Sequence, residues 1–507
     1  MLAKVISGAN VGLKGITIEV EVDIPHHGFP GFNIVGLPGK AIKEAIQRVQ
    51  SAIKNSDLQF PYRKITVNLT PADLPKEGPA YDLPIALGIL IASGQIKHNL
   101  TKTLVFGELS LDGSLRHTNG ALPLVIMAKE AGFKTIFLPK ANAEEAAIVG
   151  GIQIIGINSL KALISHLNGS EIIPETAHHK PKARYQTTVN DMADVKGQEQ
   201  AKRVLEIAAA GGHNILMIGS PGAGKTMLAR TLPSIMPQMS ESEVLEVTKI
   251  YSISGKLSDQ VHAITTRPFR SPHHTASMSG LIGGGTNPKP GEISLAHRGV
   301  LFLDEFLEFP KNVLETLRQP MEDGVITVSR AAGAITFPAR FLLVAAANPC
   351  PCGYLLSKTK NCICSTNSIQ RYQKKLSGPI LDRIDLHITV PEVEIEKLDT
   401  HYQSEKSENI RKRVNKARQK QVARYQKIPN LVANADMNTK QVKKFAILDQ
   451  ATKNLLQKAA KKMNLSARSY FKVIKVARTI ADLDEANNIT AKHIAEALQY
   501  RPQINNL

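Results

Sequence analysis

Residues 219–226 read Gly219-Ser220-Pro221-Gly222-Ala223-Gly224-Lys225-Thr226 and match G-x-x-x-x-G-K-[ST] at every constrained position. The flanks decide what this octapeptide can be. An apolar, strand-like run, Asn214-Ile-Leu-Met-Ile218, stands before it, and the helix-forming Met227-Leu-Ala-Arg follows. In a strand–loop–helix frame the glycines let backbone N–H groups converge on phosphate oxygens, and the helix N-terminus adds its dipole. Lys225 is then placed to reach the β- and γ-phosphates and the Thr226 hydroxyl to bind Mg²⁺.

A second element extends the site. Gly299-Val-Leu-Phe-Leu-Asp-Glu305 is a buried-strand run ending in two acids. Asp304 at the strand end can hold the Mg²⁺ shell, and Glu305 is placed to polarise an attacking water. A third apolar run, Phe341-Leu-Leu-Val-Ala-Ala-Ala-Asn348, ends in an amide that can orient that water.

The remaining sequence organises around this unit. Residues 1–172 alternate strand-like runs, such as Ile16-Thr-Ile-Glu-Val-Glu-Val and Lys64-Ile-Thr-Val-Asn-Leu, with a helical pattern from Ile42 to Ser56. Residues 173–189 are polar and proline-bearing and read as a linker. From 190 to 395 the alternation resumes with glycine-rich turns, which suggests a three-layer α/β core, and from 396 to 507 the pattern is helical. Hydrophobic residues make up 43% and charged residues 21%, as in a soluble globular protein. The longest apolar candidate, Leu83 to Ser93, is too short to span a bilayer, and the N-terminus lacks a signal-peptide core. A cytoplasmic protein without membrane partners is expected.

Charge is unevenly placed. Residues 401–507 carry 22 basic and 8 acidic side chains, +14 of a net +19. Between Arg411 and Lys427 stand eight basic residues and no acidic one. Such a field is an electrostatic footprint for a polyanion, or else a solvated face. With no Trp and 5% aromatics, backbone binding to duplex or branched DNA fits better than base stacking. Lys412, Arg413, Lys416 and Lys420 are the candidate contacts here. Arg330 is another, at the end of Ile326-Thr-Val-Ser-Arg330 in an expected β-hairpin with Ala334-Ile-Thr-Phe.

All four cysteines, Cys350, Cys352, Cys362 and Cys364, have the spacing C-x-C-x9-C-x-C. Two close thiolate pairs can surround a tetrahedral Zn²⁺, and free thiols in a loop are the alternative. His273 and His274 lack a Cys or carboxylate at metal-ligand spacing, so packing or substrate contact is expected of them.

Together these motifs resemble an AAA+ ATPase, more narrowly the magnesium-chelatase-subunit-like branch and within it the competence protein ComM (YifB) family. The likeness is carried by Arg267-Pro-Phe-Arg-Ser-Pro-His-His-Thr-Ala-Ser, Gly291-Glu-Ile-Ser-Leu-Ala-His-Arg-Gly-Val-Leu-Phe-Leu-Asp-Glu, Ala347-Asn-Pro-Cys-Pro-Cys-Gly and Ser377-Gly-Pro-Ile-Leu-Asp-Arg-Ile-Asp385, and covers essentially the whole chain. It implies ATP and Mg²⁺ as cofactors. Asn348 would be sensor 1 and Arg383 an arginine finger reaching the neighbouring subunit's ATP. Arg468 would be sensor 2 on an all-α lid, and Asp194 to Gln198 would cover the adenine. Phe269 to Pro290 would be an insert facing a ring pore.

The resemblance further implies a homo-hexamer promoted by ATP and DNA, acting as a branch-migration helicase in recombination or natural transformation. The alternatives are the motor subunit of a metal chelatase and an ATP-dependent protease relic or chaperone. Lys76-Glu-Gly-Pro-Ala-Tyr-Asp82 resembles the active-site turn of Lon-type proteases and implies a ribosomal-S5-like fold. Ala80 stands where those proteases carry the nucleophilic serine, and alanine has no group to activate.

Overall fold

A computed structural model describes every residue except 27–28, 75, 77, 99, 186–189, 258–259, 286–287, 331–332, 358, 376–377, 393–403, 430 and 502–507. The expected boundary at 395/396 therefore falls outside the described residues. Two units are present: Met1–Lys182 with Glu241–Thr265, and Ala183–Ser240 with Thr266–Leu507. The excursion of Glu241–Thr265 departs from an unbroken 190–395 block. Its reason is apolar. The helix Glu241–Ser254 packs Leu245 against the first-unit core of Leu104, Leu122 and Leu124, and Ile253 lies beside Gly120. There the Gly120 N–H donates to the Ser252 carbonyl at 3.0 Å, and the Ile264 N–H to Thr248 Oγ1 at 3.0 Å.

The first unit is built on a seven-stranded mixed sheet. Its order is Gly31–Val35, Lys64–Thr70, Lys14–Asp23, Leu2–Val11, Thr103–Val105, Thr135–Pro139, Gln153–Ile157. Period-two alternation sends Ile18, Val20 and Val22 of Lys14–Asp23 to the buried face. The helix Asp82–Ala92 is buried along nearly its whole length. Gly88 permits its close approach to the sheet, since a Cβ there would meet Val22 Cγ2 at 2.5 Å.

Asp82, fully buried in the first turn of that helix, is gripped by Arg48: Nε reaches Oδ2 at 2.7 Å and Nη2 reaches Oδ1 at 3.0 Å. The Leu109 N–H also donates to Oδ2, at 3.3 Å. Burial pushes the Asp82 carboxyl up to about 6 despite the opposing pull of Arg48.

The second unit contains five parallel strands in the order Phe269–Arg270, Val300–Leu303, Leu342–Ala347, Ile215–Ile218, Leu386–Thr389. The middle three are buried at every residue, as parallel strands covered on both faces must be. The longer described elements beyond the sheet are the helices Ser407–Tyr425, Thr439–Phe445, Gln450–Lys462, Ala467–Leu483 and Ala491–Gln499. Their apolar faces share one core with the sheet helices: Val473, Ala477 and Ile480 join Val204, Ile207 and Leu228. Among the described residues no helix is long and apolar enough to cross a membrane.

Arg48→Ala would leave the Asp82 carboxylate buried without its partner, a change that costs about 3–5 kcal/mol. Stability lost at pH 8 should be partly regained at pH 5. The unfolded Asp82 is ionised above its ordinary 3.8, whereas the buried one without Arg48 stays protonated to beyond about 6. Urea unfolding of the variant at both pH values measures this, and equal losses at the two would contradict it.

Candidate active site

The loop 219–224 connects strand Ile215–Ile218 to helix Lys225–Ile235. Gly222 and Gly224 take φ of +79° and +81°, a region that favours glycine. Lys225 folds back into this loop. Its Nζ donates to the Gly219 carbonyl at 2.5 Å, to the Ser220 carbonyl at 2.9 Å and to Asn348 Oδ1 at 3.2 Å. Burial lowers the Lys225 pKa, against the pull of Asp304. The Thr226 hydroxyl donates to Asp304 Oδ2 at 2.7 Å. Parallel pairing explains why residues from three distant segments meet: each of the three strands runs the same way and delivers its C-terminal end to one edge. Lys225, Thr226, Asp304 and Asn348 are thus gathered as one cluster.

Glu305 follows Asp304 in a left-handed conformation, φ +50° and ψ +45°, which for a non-glycine residue carries about 1–3 kcal/mol of strain. His274 Nδ1 lies 2.9 Å from its Oε2. The rings of His273 and His274 lie side by side, centroids 4.1 Å apart and tilted by 34°. The sequence contains no local signal for the His274–Glu305 contact. Upstream, Gln198 Nε2 donates to the Ala223 carbonyl at 2.6 Å and to the Pro391 carbonyl at 3.2 Å, so Gln198, the last residue of the segment 194–198, borders the phosphate loop.

Arg383 and Arg468 meet one another's partner and not the Lys225 cluster. Arg383 Nη2 and Arg468 Nη2 lie 2.7 Å and 2.8 Å from the same oxygen, Glu322 Oε1. Glu322 belongs to no motif in the sequence. The segment 269–290 forms short pieces: the strand Phe269–Arg270, the helix Met278–Ile282, and Gly283–Gly284 paired with Lys289–Pro290. Val325–Arg330 and Gly333–Pro338 form the expected antiparallel hairpin, with Arg330 opposite Gly333. The side chain of Arg330 lies outside what is described.

The four cysteines converge. Their sulfur atoms lie within 4.8 Å of one another, and among the described residues they are the only His, Cys, Asp and Glu group so gathered. Cys350 Sγ lies 3.5 Å from Cys352 Sγ and 3.7 Å from Cys362 Sγ, and Cys352 to Cys362 is 3.6 Å. These are too long for disulfides. They fit the edge of a ZnS₄ tetrahedron, about 3.8 Å for Zn–S bonds of about 2.3 Å. Backbone N–H groups of Tyr354 and Ile363 hold the Cys352 thiol down to about 6, favouring the ligating thiolate. The loop also touches the phosphate loop: Gly353, at φ +85°, packs so closely that a Cβ would meet Pro221 at 2.6 Å.

The basic helix Ser407–Tyr425 is more engaged than its sequence suggests. Lys412 Nζ lies 3.0 Å from Glu408, and Lys416 Nζ lies 3.0 Å from Glu485. Arg413 bridges Glu206 at 2.6 Å and Glu405 at 2.5 Å. On the helix Gln450–Lys462, by contrast, Thr452 and Leu456 point inward while Lys453, Lys458, Lys461 and Lys462 are exposed. None of these four lysines pairs with a carboxylate among the described residues.

Family models match along most of this architecture. One described as magnesium chelatase, subunit ChlI, covers residues 191–398. A second, subunit ChlI of Mg-chelatase, covers 20–142, and a third, the ChlI C-terminal model, covers 404–501. Competence protein ComM of Haemophilus influenzae is 44% identical over 99% of this chain and 98% of its own length. The proteins named YifB of Escherichia coli and Salmonella typhimurium are 43% and 42% identical, over 97% and 99% of the chain and 96% and 97% of their own lengths. With likeness of this depth running through both units, the chain belongs to the ComM (YifB) family of the magnesium-chelatase-subunit-like AAA+ ATPases.

Proposed function

We propose that this chain is an ATP-hydrolysing ring motor that moves on DNA, a branch-migration helicase serving recombination and natural transformation. The observation that carries the proposal is the meeting of Lys225, Thr226, Asp304 and Asn348 beside the phosphate loop, while Arg383 and Arg468 are both bound to Glu322. In this reading residues 219–226 cradle the triphosphate, Lys225 offsets its charge, and Thr226 and Asp304 hold Mg²⁺. When bound, Mg²⁺ offsets charge on the phosphates. Glu305 and Asn348 orient the water. Arg383 supplies charge to the nucleotide of the next subunit in a homo-hexamer, and Arg468 acts as sensor 2. The name of the Haemophilus relative supports the link to competence.

The N-terminal unit is proposed as a Lon-like, ribosomal-S5-like scaffold without protease activity. Ala80 occupies the nucleophile position, and its carbonyl is used structurally, accepting from the Gly107 N–H at 2.8 Å. The four-cysteine loop is proposed to hold structural Zn²⁺. The C-terminal helices form the lid, and the protein acts in the cytoplasm. A chelatase motor would require neither the basic lid nor stimulation by DNA, so DNA-stimulated ATP turnover separates the two readings.

Glu305→Gln should bind ATP but turn it over at least ~10²-fold more slowly, because the water loses its orienting carboxylate. Arg383→Ala chains should be inactive alone yet regain turnover when mixed with Lys225→Ala chains. Wild-type turnover in Glu305→Gln, or mixed rings without rescue, would refute these roles.

Protein purified without added zinc should contain one zinc per chain by elemental analysis, and Cys352→Ser with Cys362→Ser should release it. Four freely titratable thiols and no metal would return the cluster to a plain loop.

Phosphate contacts are proposed at the unpaired lysines. Lys453, Lys458, Lys461 and Lys462 changed together to Gln should flatten the slope of log K against log salt by about 0.9 per lost duplex contact. The set Lys412, Arg413, Lys416 and Lys420 should change it less, since three of its members already face carboxylates. Filter binding of a branched duplex across a salt series compares the two sets. A larger effect from the second set would reverse the assignment.

A further inference from the structure

One carboxylate oxygen, Glu322 Oε1, accepts from two guanidinium groups that arrive from distant parts of the sequence, Arg383 at 2.7 Å and Arg468 at 2.8 Å. Arg383 is further fixed by Nη1 donating to the Pro379 carbonyl at 2.6 Å. Two like charges this close repel, and the shared anion is what holds them side by side. The hydrogen bond from Arg383, with the charges of Arg383 and Arg468, draws the Glu322 carboxyl below its ordinary range.

The position of Glu322 gives the contact a second meaning. It sits near the end of the helix Arg318–Asp323, and Gly324 leads directly into the hairpin strand Val325–Arg330. Gly324 has φ +67°, and a Cβ on it would strike the Arg340 side chain at 2.6 Å. The Ala339 N–H donates to the Gly324 carbonyl at 2.8 Å and closes the hairpin at its base. The stem is therefore tightly determined, and Glu322 is its neighbour.

We propose that Glu322 is a positioning residue that competes with nucleotide phosphate for Arg383 and Arg468 and thereby ties the state of the arginine pair to the base of the hairpin. A guanidinium meets carboxylate and phosphate through the same planar fork, so one engagement excludes the other. The proposal rests on the reading of Arg383 as a phosphate-directed residue. Phosphate that draws the arginines away releases Glu322, and the release is felt where the hairpin begins. A hairpin held by DNA acts on the same contact from the other side.

The test uses the full-length chain, ATP, and a four-way junction of synthetic oligonucleotides. Glu322→Gln keeps the shape and removes the charge. DNA-free turnover should rise by about threefold or more, the KM for ATP should fall, and the ratio of DNA-stimulated to DNA-free turnover should shrink by a similar factor. Glu322→Ala should behave alike and stands in if the first variant does not fold, while Glu322→Asp, which keeps the charge, should retain a ratio near that of wild type. Adding Arg383→Ala to Glu322→Gln should abolish the gain. Unchanged or lower DNA-free turnover in both neutral variants, or a gain that survives Arg383→Ala, overturns the proposal. Arg383→Ala alone separates the two possible failures. Turnover lost there, beside an inert Glu322→Gln, defeats only the role of Glu322. Turnover unaffected by Arg383→Ala defeats the reading of Arg383 and the proposal with it.

Discussion

Asp385 is the buried charge on which the second unit is assembled. Lys472 Nζ meets it at 2.7 Å, His213 Nδ1 lies at 3.4 Å, and the Asn214 N–H donates to it at 3.2 Å. Burial opposes the negative charge, but Lys472 and His213 outweigh it and hold the carboxyl well below its usual range. Arg501 donates to the backbone carbonyls of Ile384 and Asp385 at 3.2 Å each and to Ser469 Oγ at 2.7 Å. Four segments are joined here: the entrance to the phosphate-loop strand, the turn before Leu386–Thr389, the helix Ala467–Leu483, and Arg501 beyond the helix Ala491–Gln499. A buried pair of this kind is strongly destabilising when broken, whatever its net worth when intact. Its location matters as much as its strength. Arg383 is two residues before Asp385, and Arg468 is one helical turn before Lys472, so the clamp also sets where both arginines emerge.

The phosphate loop is supported from two further directions. On one side Lys225 is desolvated among carbonyl oxygens and Asn348, a setting in which an incoming anion replaces weak partners with a strong one. On the other, the four-cysteine loop is pressed against Pro221 at Gly353. Asn348 directly follows the strand Leu342–Ala347 and Cys350 stands two residues further on, so the sulfur cluster begins beside the residue that faces Lys225.

How much of this could be read from sequence depends on how far apart the interacting groups are. The phosphate loop is an octapeptide with its own flanking strand and helix, and the acids Asp304 and Glu305 close an unbroken apolar run. Both were legible because the chemistry and the structure that presents it are contiguous. The cysteine pairs were legible for the same reason. Glu322 was not, because its partners are 61 and 146 residues away and nothing in Arg318-Gln-Pro-Met-Glu-Asp marks it. Nor was the neutralisation of Arg413, whose partner Glu206 is 207 residues distant. Helix Glu241–Ser254 shows the same limit at the level of domains. Its apolar residues declare that it is buried, but not against which unit.

That excursion bears on how the protein can be divided. A chain cut back to begin at residue 183 would still contain Glu241–Thr265, but without the surface that covers it. Leu245, packed against the core of the first unit, and Ile253, beside Gly120, would then lose their cover, and apolar surface exposed in this way promotes self-association. Aggregation of a shortened chain would report this orphaned helix, and loss of activity in it would say nothing about what the N-terminal unit contributes. A faithful dissection removes 1–182 and replaces 241–265 with a short polar turn in the same step.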